Sequence, residues 1–381
     1  MGDTRFRVWF GNSAASVEQL ARFEEIEVTQ EMDALWEAHL RMSLCLDASG
    51  TWLDWPGDRA APFSRVRVEI DVGTGTFTPL IDGPLVSIDG GLDSQPGRST
   101  ATMVVRDDSA FLNRDEENEN LPDNQTDSDV AEMLFRRFAQ IRDTRIDRTT
   151  TIRPARRRRG TVLQYLKDMA RANDRRAYVL PGDQPGASIG CFLRDPREPA
   201  SLPKLVMIGN DRNLASVSIR QNPHGAPRIR ARILRTDDQG RATFETSAAD
   251  LGLMRDVPAV PADLTPRHLV HPADNIRPDP ADTVSGHARR AGYVYHLSGQ
   301  TVPQRYGAVL SPYNKVRVDA GATPYSGDYL ITKVVHRITP SVYSQHLEAK
   351  ADSQSAVSGA QIAEALGGGL SLSITAKVGI L

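Results

Sequence analysis

Three kinds of cluster in this 381-residue chain could carry chemistry: paired carboxylates, closely spaced histidines and a run of arginines. The carboxylate pairs are Asp107-Asp108, Glu116-Glu117 and Asp237-Asp238. Two carboxyls cleave a glycosidic bond only when a cleft fixes their separation and holds one protonated. Residues in turns and acidic runs face water instead, and that is the reading for all three pairs. His268 and His271, with Asp263 and Asp274 nearby, have the donor types of a metal site. A proline-rich stretch supplies no helix to fix them, so they read as exposed polar residues. His287 and His336 stand singly and are expected at helix or strand surfaces. Gly73-Thr74-Gly75-Thr76-Phe77-Thr78 lacks the third glycine and the following helix of a dinucleotide site, and reads as a hairpin turn. No phosphate loop, nucleophile elbow or zinc-protease helix occurs. No catalytic, cofactor-binding or metal residue is assigned, no cofactor is expected, and the chain is read as a non-enzyme.

Arg156-Arg157-Arg158-Arg159 is the strongest basic run. It lacks interleaved aromatics, and the formal net charge of the chain is -2, so a phosphate track is disfavoured. Asn113 to Glu132 holds eight acidic residues and one arginine, whereas Arg145 to Arg159 holds seven arginines and one aspartate. The run therefore reads as a solvated loop, or as a partner for acidic residues of a neighbouring subunit, without sequence-specific nucleic acid binding. Cys45 and Cys191 lack metal spacing and are expected as buried thiols of a reducing compartment. The opening Met-Gly-Asp-Thr-Arg-Phe-Arg lacks a signal-peptide layout and no run of about 18 apolar residues occurs, so assembly in the cytoplasm without membrane insertion is expected.

The elements that must position these residues are mostly strands. Period-two alternation marks Phe6 to Phe10, Glu25 to Thr29, His39 to Leu46, Val66 to Val72, Leu80 to Ile88 and Ser99 to Val105. Two helices follow, one capped by Thr126 with Asp129 and carrying Val130, Met133, Leu134, Phe138 and Ile141 on its apolar face, the other capped by Thr161 with Gln164. Ala177 to Leu180 and Ile189 to Leu193 read as a strand pair. Strands resume at Lys204 to Ile208, Ala215 to Gln221 and Arg228 to Leu234. A proline-rich excursion spans 256–280, a helix 281–293, and further strands Val294 to Leu297, Ala308 to Leu310 and Val316 to Val318.

Residues 326–353 give a strong hairpin signal, with Tyr329, Ile331, Val334, Val335, Val342, Tyr343 and Leu347 apolar, and Lys333, Arg337, Gln345 and Glu348 on the polar face. Such a ribbon is marginal alone and must join a larger sheet. Beyond Gly367-Gly368-Gly369, Leu370, Leu372, Ile374, Val378 and Ile380 alternate with polar residues, a terminal strand that needs either its own domain or a partner to accept it. The expected fold is mainly β with an α/β insert. Its first β domain spans 1–110, the insert 111–205, the second β domain 206–353, and a linker with the terminal strand 354–381.

Four stretches in order resemble the baseplate hub family of contractile phage tails and injection systems, the late control D proteins, to which the hub half of type VI valine-glycine repeat spike proteins also belongs. They are "EEIEVTQEMDALWEAHLRMSLCL" with "SRVRVEIDVGTGTFTPLIDGPLVSIDGGLDSQPGRSTATMVVRDDSAFLNR"; "TDSDVAEMLFRRF"; "RGTVLQYLKDMARANDRRAYVLPG"; and "PYNKVRVDAGATPYSGDYLITKVVHRITPSVYSQHLEAK". The resemblance implies two tube-like β-barrel domains per chain and a homotrimer presenting a pseudo-sixfold ring between a sixfold inner tube and a threefold spike. The implied partners are the spike protein, the inner tube protein and baseplate wedge or peripheral hub proteins, and the implied location is the baseplate of a tail or injection particle. No valine-glycine repeat region follows residue 353, so a separate spike protein is expected, with Leu370, Leu372, Ile374, Val378 and Ile380 offered as partner-binding residues. The alternatives are a tail-tip peptidoglycan hydrolase and an inner-tube or tube-initiator subunit.

Overall fold

The computed structural model describes residues 4–52, 61–95, 97–222, 228–236, 242–250, 257–258, 267–270 and 280–355. The terminal alternation at Leu370, Leu372, Ile374, Val378 and Ile380 lies outside the described residues, as do Asp237, Asp238, His271, Asp263 and Asp274. Within the proline-rich excursion, Val257–Pro258 and Arg267–Val270 are strands.

The period-two segments assemble into a 13-stranded sheet that runs through both β regions. Two four-stranded antiparallel blocks build its middle. In the first, Phe23–Glu31 pairs with Glu37–Ser43, then Thr100–Arg106, then Thr78–Gly91. In the second, Gly327–Ile338 pairs with Tyr343–Ala351, then Tyr295–Thr301, then Leu214–Gln221. The blocks meet edge to edge, with Lys333 to Ile338 laddered against Glu31 to Ile26. The late hairpin is thus the element that joins the second β region to the first. Strand twist curls a sheet of this width, and the fold is mainly β, with two tube-like β-barrel domains and a small α/β domain.

Among the described residues the core divides into three clusters. One centres on Val28, Leu40, Val68, Ile81 and Val105, one on Leu134, Phe135, Leu166 and Phe192 of the insert, and one on Leu297, Val318, Tyr329 and Leu347. Burying a side chain such as Leu40 or Leu347 stabilises the fold by roughly 1.5–3 kcal/mol. Tyr313, Ile338 and Tyr343 come from the second β region yet pack in the first cluster, so the joint is cored as well as laddered.

The insert helices form where their caps stand. Asp127–Arg136 begins at Thr126, whose hydroxyl accepts from the Asp129 backbone, and Val162–Ala172 begins at Thr161, capped reciprocally by Gln164. The first helix buries Val130, Ala131, Leu134 and Phe135 and stops at Arg136; Phe138 follows it and Ile141 opens a strand, so neither belongs to its face. Arg176–Leu180 and Ser188–Leu193 form the expected strand pair, and the late helix is Pro280–Ala291. Ala308 to Leu310 is not a strand: Leu310 is buried, with its backbone N–H donated to the Gln345 side chain at 2.7 Å.

Several side chains sit on the opposite face from that expected, and a bulge explains the largest group. Between Ile331 and Lys333 the ladder register shifts, so the core side changes from Tyr329 and Ile331 to Val334, His336 and Ile338. His336, expected at a surface, is therefore fully buried, and Val335 turns outward. Gln345 also faces inward, because its amide satisfies both the Leu310 N–H and, at 2.9 Å, the Ala308 carbonyl. Val342 is exposed in the turn, and Cys45 is exposed whereas Cys191 is buried, its thiol pushed up to about 12 first of all by desolvation.

Candidate functional site: the joints of the sheet and the insert

At the joint between the two blocks, a buried polar chain crosses the strand pair. Gln30 donates its Nε2 to the Leu80 carbonyl at 2.7 Å, which leaves its Oε1 to accept from His336 Nε2 at 3.3 Å. His336 Nδ1 must then accept from the Tyr343 hydroxyl, 2.8 Å away. The chain fixes a neutral imidazole, and burial pulls its pKa down to about 3. On the opposite face the joint is crossed by ion pairs, Lys333 with Glu31 at 3.2 Å and Arg337 with Glu25.

A charged clamp holds the insert to the first block. Arg67 is 1% exposed and spends every donor group: Nε on Glu69 at 2.8 Å, Nη1 on Asp82 at 3.1 Å and on the Gly182 and Gln184 carbonyls, and Nη2 on the Asp183 carbonyl. Arg65 bridges Asp82 and Asp108, and Ser188 of the insert donates to Asp108 at 2.7 Å. The loop is drawn so close that a Cβ at Gly182 would stand 1.8 Å from the Ala187 carbonyl oxygen, so only glycine fits there. Asp107 and Asp108, expected to face water, are buried here because Trp36 and Ser109 backbone donors and Arg65 take their charge inside. Burial raises both, Asp107 to about 6.

A second junction gathers all three regions on one turn. Asp33, at φ +61, takes the Lys167 ammonium on its carbonyl at 2.7 Å, donates its N–H to the Tyr313 hydroxyl at 2.9 Å, and binds Arg176 through its carboxylate. Arg176 also pairs with Asp195 at 3.1 Å, where burial works to raise the carboxyl but the guanidinium overcomes it and holds it low. Tyr293 donates to Asp195, and Lys350 lies over the Tyr293 ring at 4.1 Å, its ammonium pulled down to about 8 by desolvation and then by Arg176.

The arginine run is not a loop. Arg156–Gly160 is a strand antiparallel to Glu117–Leu121, so the basic block pairs with the acidic block of its own chain. Arg158 is 1% exposed between Glu117 and Glu119, and Arg153 and Arg156 both bind the buried Asp127. Glu116 stays exposed. The Gly73 to Thr78 segment is the expected turn, its N–H groups at Gly73, Thr74 and Gly75 donated to Asp71. His287 lies on Pro280–Ala291, half-buried. Among the described residues no group of three His, Cys, Asp or Glu is placed to hold a metal, and no helix is long and apolar enough to cross a membrane. What the arrangement offers is mechanical: three cores locked together by one backbone ladder and two clusters of buried charge.

No family model matches the chain, and no curated protein matches it in sequence. Solved structures share its fold. The tail protein from Neisseria meningitidis MC58 superposes with a TM-score of 0.61 at 13% identity, covering 92% of this chain and 97% of that one. The 43 kDa tail protein of prophage MuSo2 from Shewanella oneidensis gives 0.61 at 14% identity, covering 92% and 100%. The E. coli c3393 protein, described as a component of the type VI secretion system with structural similarity to T4 bacteriophage tail proteins gp27 and gp5, gives 0.53 at 11% identity, covering 87% and 74%.

Proposed function

We propose that this chain is the structural hub of a contractile tail or injection-system baseplate, a homotrimer that adapts a sixfold inner tube to a threefold spike. One observation carries the reading: a single chain presents two four-stranded antiparallel blocks joined edge to edge, so that three chains bring six such blocks into one ring. The shared fold with tail proteins and with a type VI component supports it. In this reading, 1–110 and 206–353 are the two tube-like domains and 111–205 is the insert. The spike, the inner tube protein and the wedge or peripheral hub proteins are its partners, and Leu370, Leu372, Ile374, Val378 and Ile380 in 354–381 add a strand to the spike or to a neighbouring subunit. The role is geometric and requires no catalytic group.

Light scattering on the purified chain tests it. A native mass about three times 41.8 kDa is expected, and a monomer, both alone and with the spike protein, would overturn the hub. Removing residues 367–381 should weaken spike binding or trimer formation; a truncated chain that keeps both removes the role given to the terminal strand.

A further inference from the structure

Three donors meet inside the insert with no acceptor among the described residues. Arg156 opens the strand Arg156–Gly160, and its side chain is 7% exposed. Its Nη1 reaches Asp127, but its Nε and Nη2 are buried without a hydrogen-bond partner. The hydroxyl of Tyr165, on Val162–Ala172, is likewise buried and unpartnered. Burial pushes that hydroxyl's pKa up, and the Arg156 guanidinium is the foremost charge opposing the rise, so the two groups are neighbours.

Asp127 does not answer them. Its Oδ2 takes Arg153 Nε at 3.3 Å, Arg153 Nη2 at 3.2 Å and Asn173 Nδ2 at 2.9 Å, and its Oδ1 takes Arg156 Nη1. Glu117 and Glu119 face Arg158, and Glu119 faces Arg137 as well. Four guanidiniums, those of Arg137, Arg153, Arg156 and Arg158, thus share three carboxylates, an excess of one positive charge. Nε–H and Nη2–H leave a guanidinium side by side, as the edge that grips an anion with two parallel bonds. In Arg114, Arg136, Arg153, Arg176 and Arg289 that edge holds a carboxylate. In Arg156 the same edge is buried and has none among the described residues.

Buried donors without acceptors are costly, and those of a charged guanidinium cost most. We propose that the insert binds a small inorganic anion between Arg156 and Tyr165, held by Nε–H and Nη2–H of the one and the hydroxyl of the other. The anion balances the surplus charge and ties the strand Arg156–Gly160 to the helix Val162–Ala172 that follows it. It is a fixed part of the insert's core, not cargo. Chloride and a phosphate-type oxyanion share this chemistry, and two probes tell them apart.

The full chain is dialysed into sodium gluconate and melted while sodium chloride or sodium phosphate replaces the gluconate at constant ionic strength. An anion that binds only the folded chain raises the melting temperature, by at least about 2 °C between about 1 and about 100 mM of the better probe. Tyr165→Phe keeps the ring and removes one donor; it should melt no lower than the native chain in gluconate and should lose most of that rise. Arg156→Lys leaves a cation for Asp127 but removes the paired edge, and should lose the rise as well. A native chain that keeps its anion through dialysis responds to neither probe but releases about one equivalent on denaturation, and Tyr165→Phe releases less; that result also supports the site. A rise of equal size in the native chain and Tyr165→Phe, or a native chain that neither responds nor releases an anion, overturns the site and leaves these donors to buried water.

Discussion

The two joints of this molecule solve one problem by different physics. The blocks are joined by a backbone ladder, backed by a neutral chain of Tyr343, His336 and Gln30. The insert is held by buried charge, with Arg67 and Arg65 satisfied by Asp82, Asp108, Glu69 and a row of carbonyls. A ladder spreads its energy over many bonds, each contributing about 1 kcal/mol. A clamp concentrates it, since losing one ion leaves its partners buried and unanswered. The difference teaches that this fold is redundant along the sheet and brittle at the insert.

The sharpest way to break the contrast is Arg67→Ala, which leaves Asp82 with Arg65 alone as its cation, takes the guanidinium from Glu69 and removes the donor to three carbonyls. It should cost about 5 kcal/mol, read by urea unfolding, and expose the 181–187 loop to protease. A loss below 1 kcal/mol would put the insert's attachment elsewhere. Acid should act on the ladder joint next. His336 has a folded pKa of about 3 against an ordinary 6.5, so the unfolded chain binds the extra proton and stability falls as pH drops through that window. The loss should reach about 3 kcal/mol by pH 4, and His336→Phe should flatten that limb of the pH–stability curve.

Asp107, at the entry to the insert, runs the other way. Its folded pKa of about 6 lies above the ordinary 3.8, so its contribution is greatest below pH 3.8 and is lost as pH rises to about 6. Relative to Asp107→Asn, the native chain should lose about 2 kcal/mol between pH 4 and 7; a flat difference in melting temperature would show a carboxyl ionised throughout. The smallest effect belongs to the exposed pair across the ladder. Lys333→Ala should cost less than about 1 kcal/mol, and the cost should vanish at high salt.

Local signals made much of this legible. Thr126 with Asp129 and Thr161 with Gln164 announce the insert helices because a cap and its reciprocal partner lie three residues apart. The hairpin of Gly327–Ile338 and Tyr343–Ala351 shows in its alternation. His336 and Gln345 were hidden because a bulge at Ile331 and Lys333 changes parity inside a strand, and period-two reading assumes none. The pairing of Arg156–Gly160 with Glu117–Leu121 was hidden because the segments are nearly forty residues apart and charge runs ordinarily signify solvent. Asp107 and Asp108 needed the third dimension as well, since their burial depends on Arg65 and Ser188 from other elements. The proposed terminal strand and the trimer belong to contacts between chains, which one chain's pattern does not encode.

The ladder that joins the blocks also has a consequence in time. His336 meets Gln30 across 306 positions of sequence, so during synthesis the strand Phe23–Glu31 waits with one edge unpaired until the residues of that span have been made. At ribosomal rates that wait is roughly 15–60 s. Glu25, Glu27 and Glu31 line that strand, and repulsion between their like charges on two nascent chains discourages the wrong edge from pairing first.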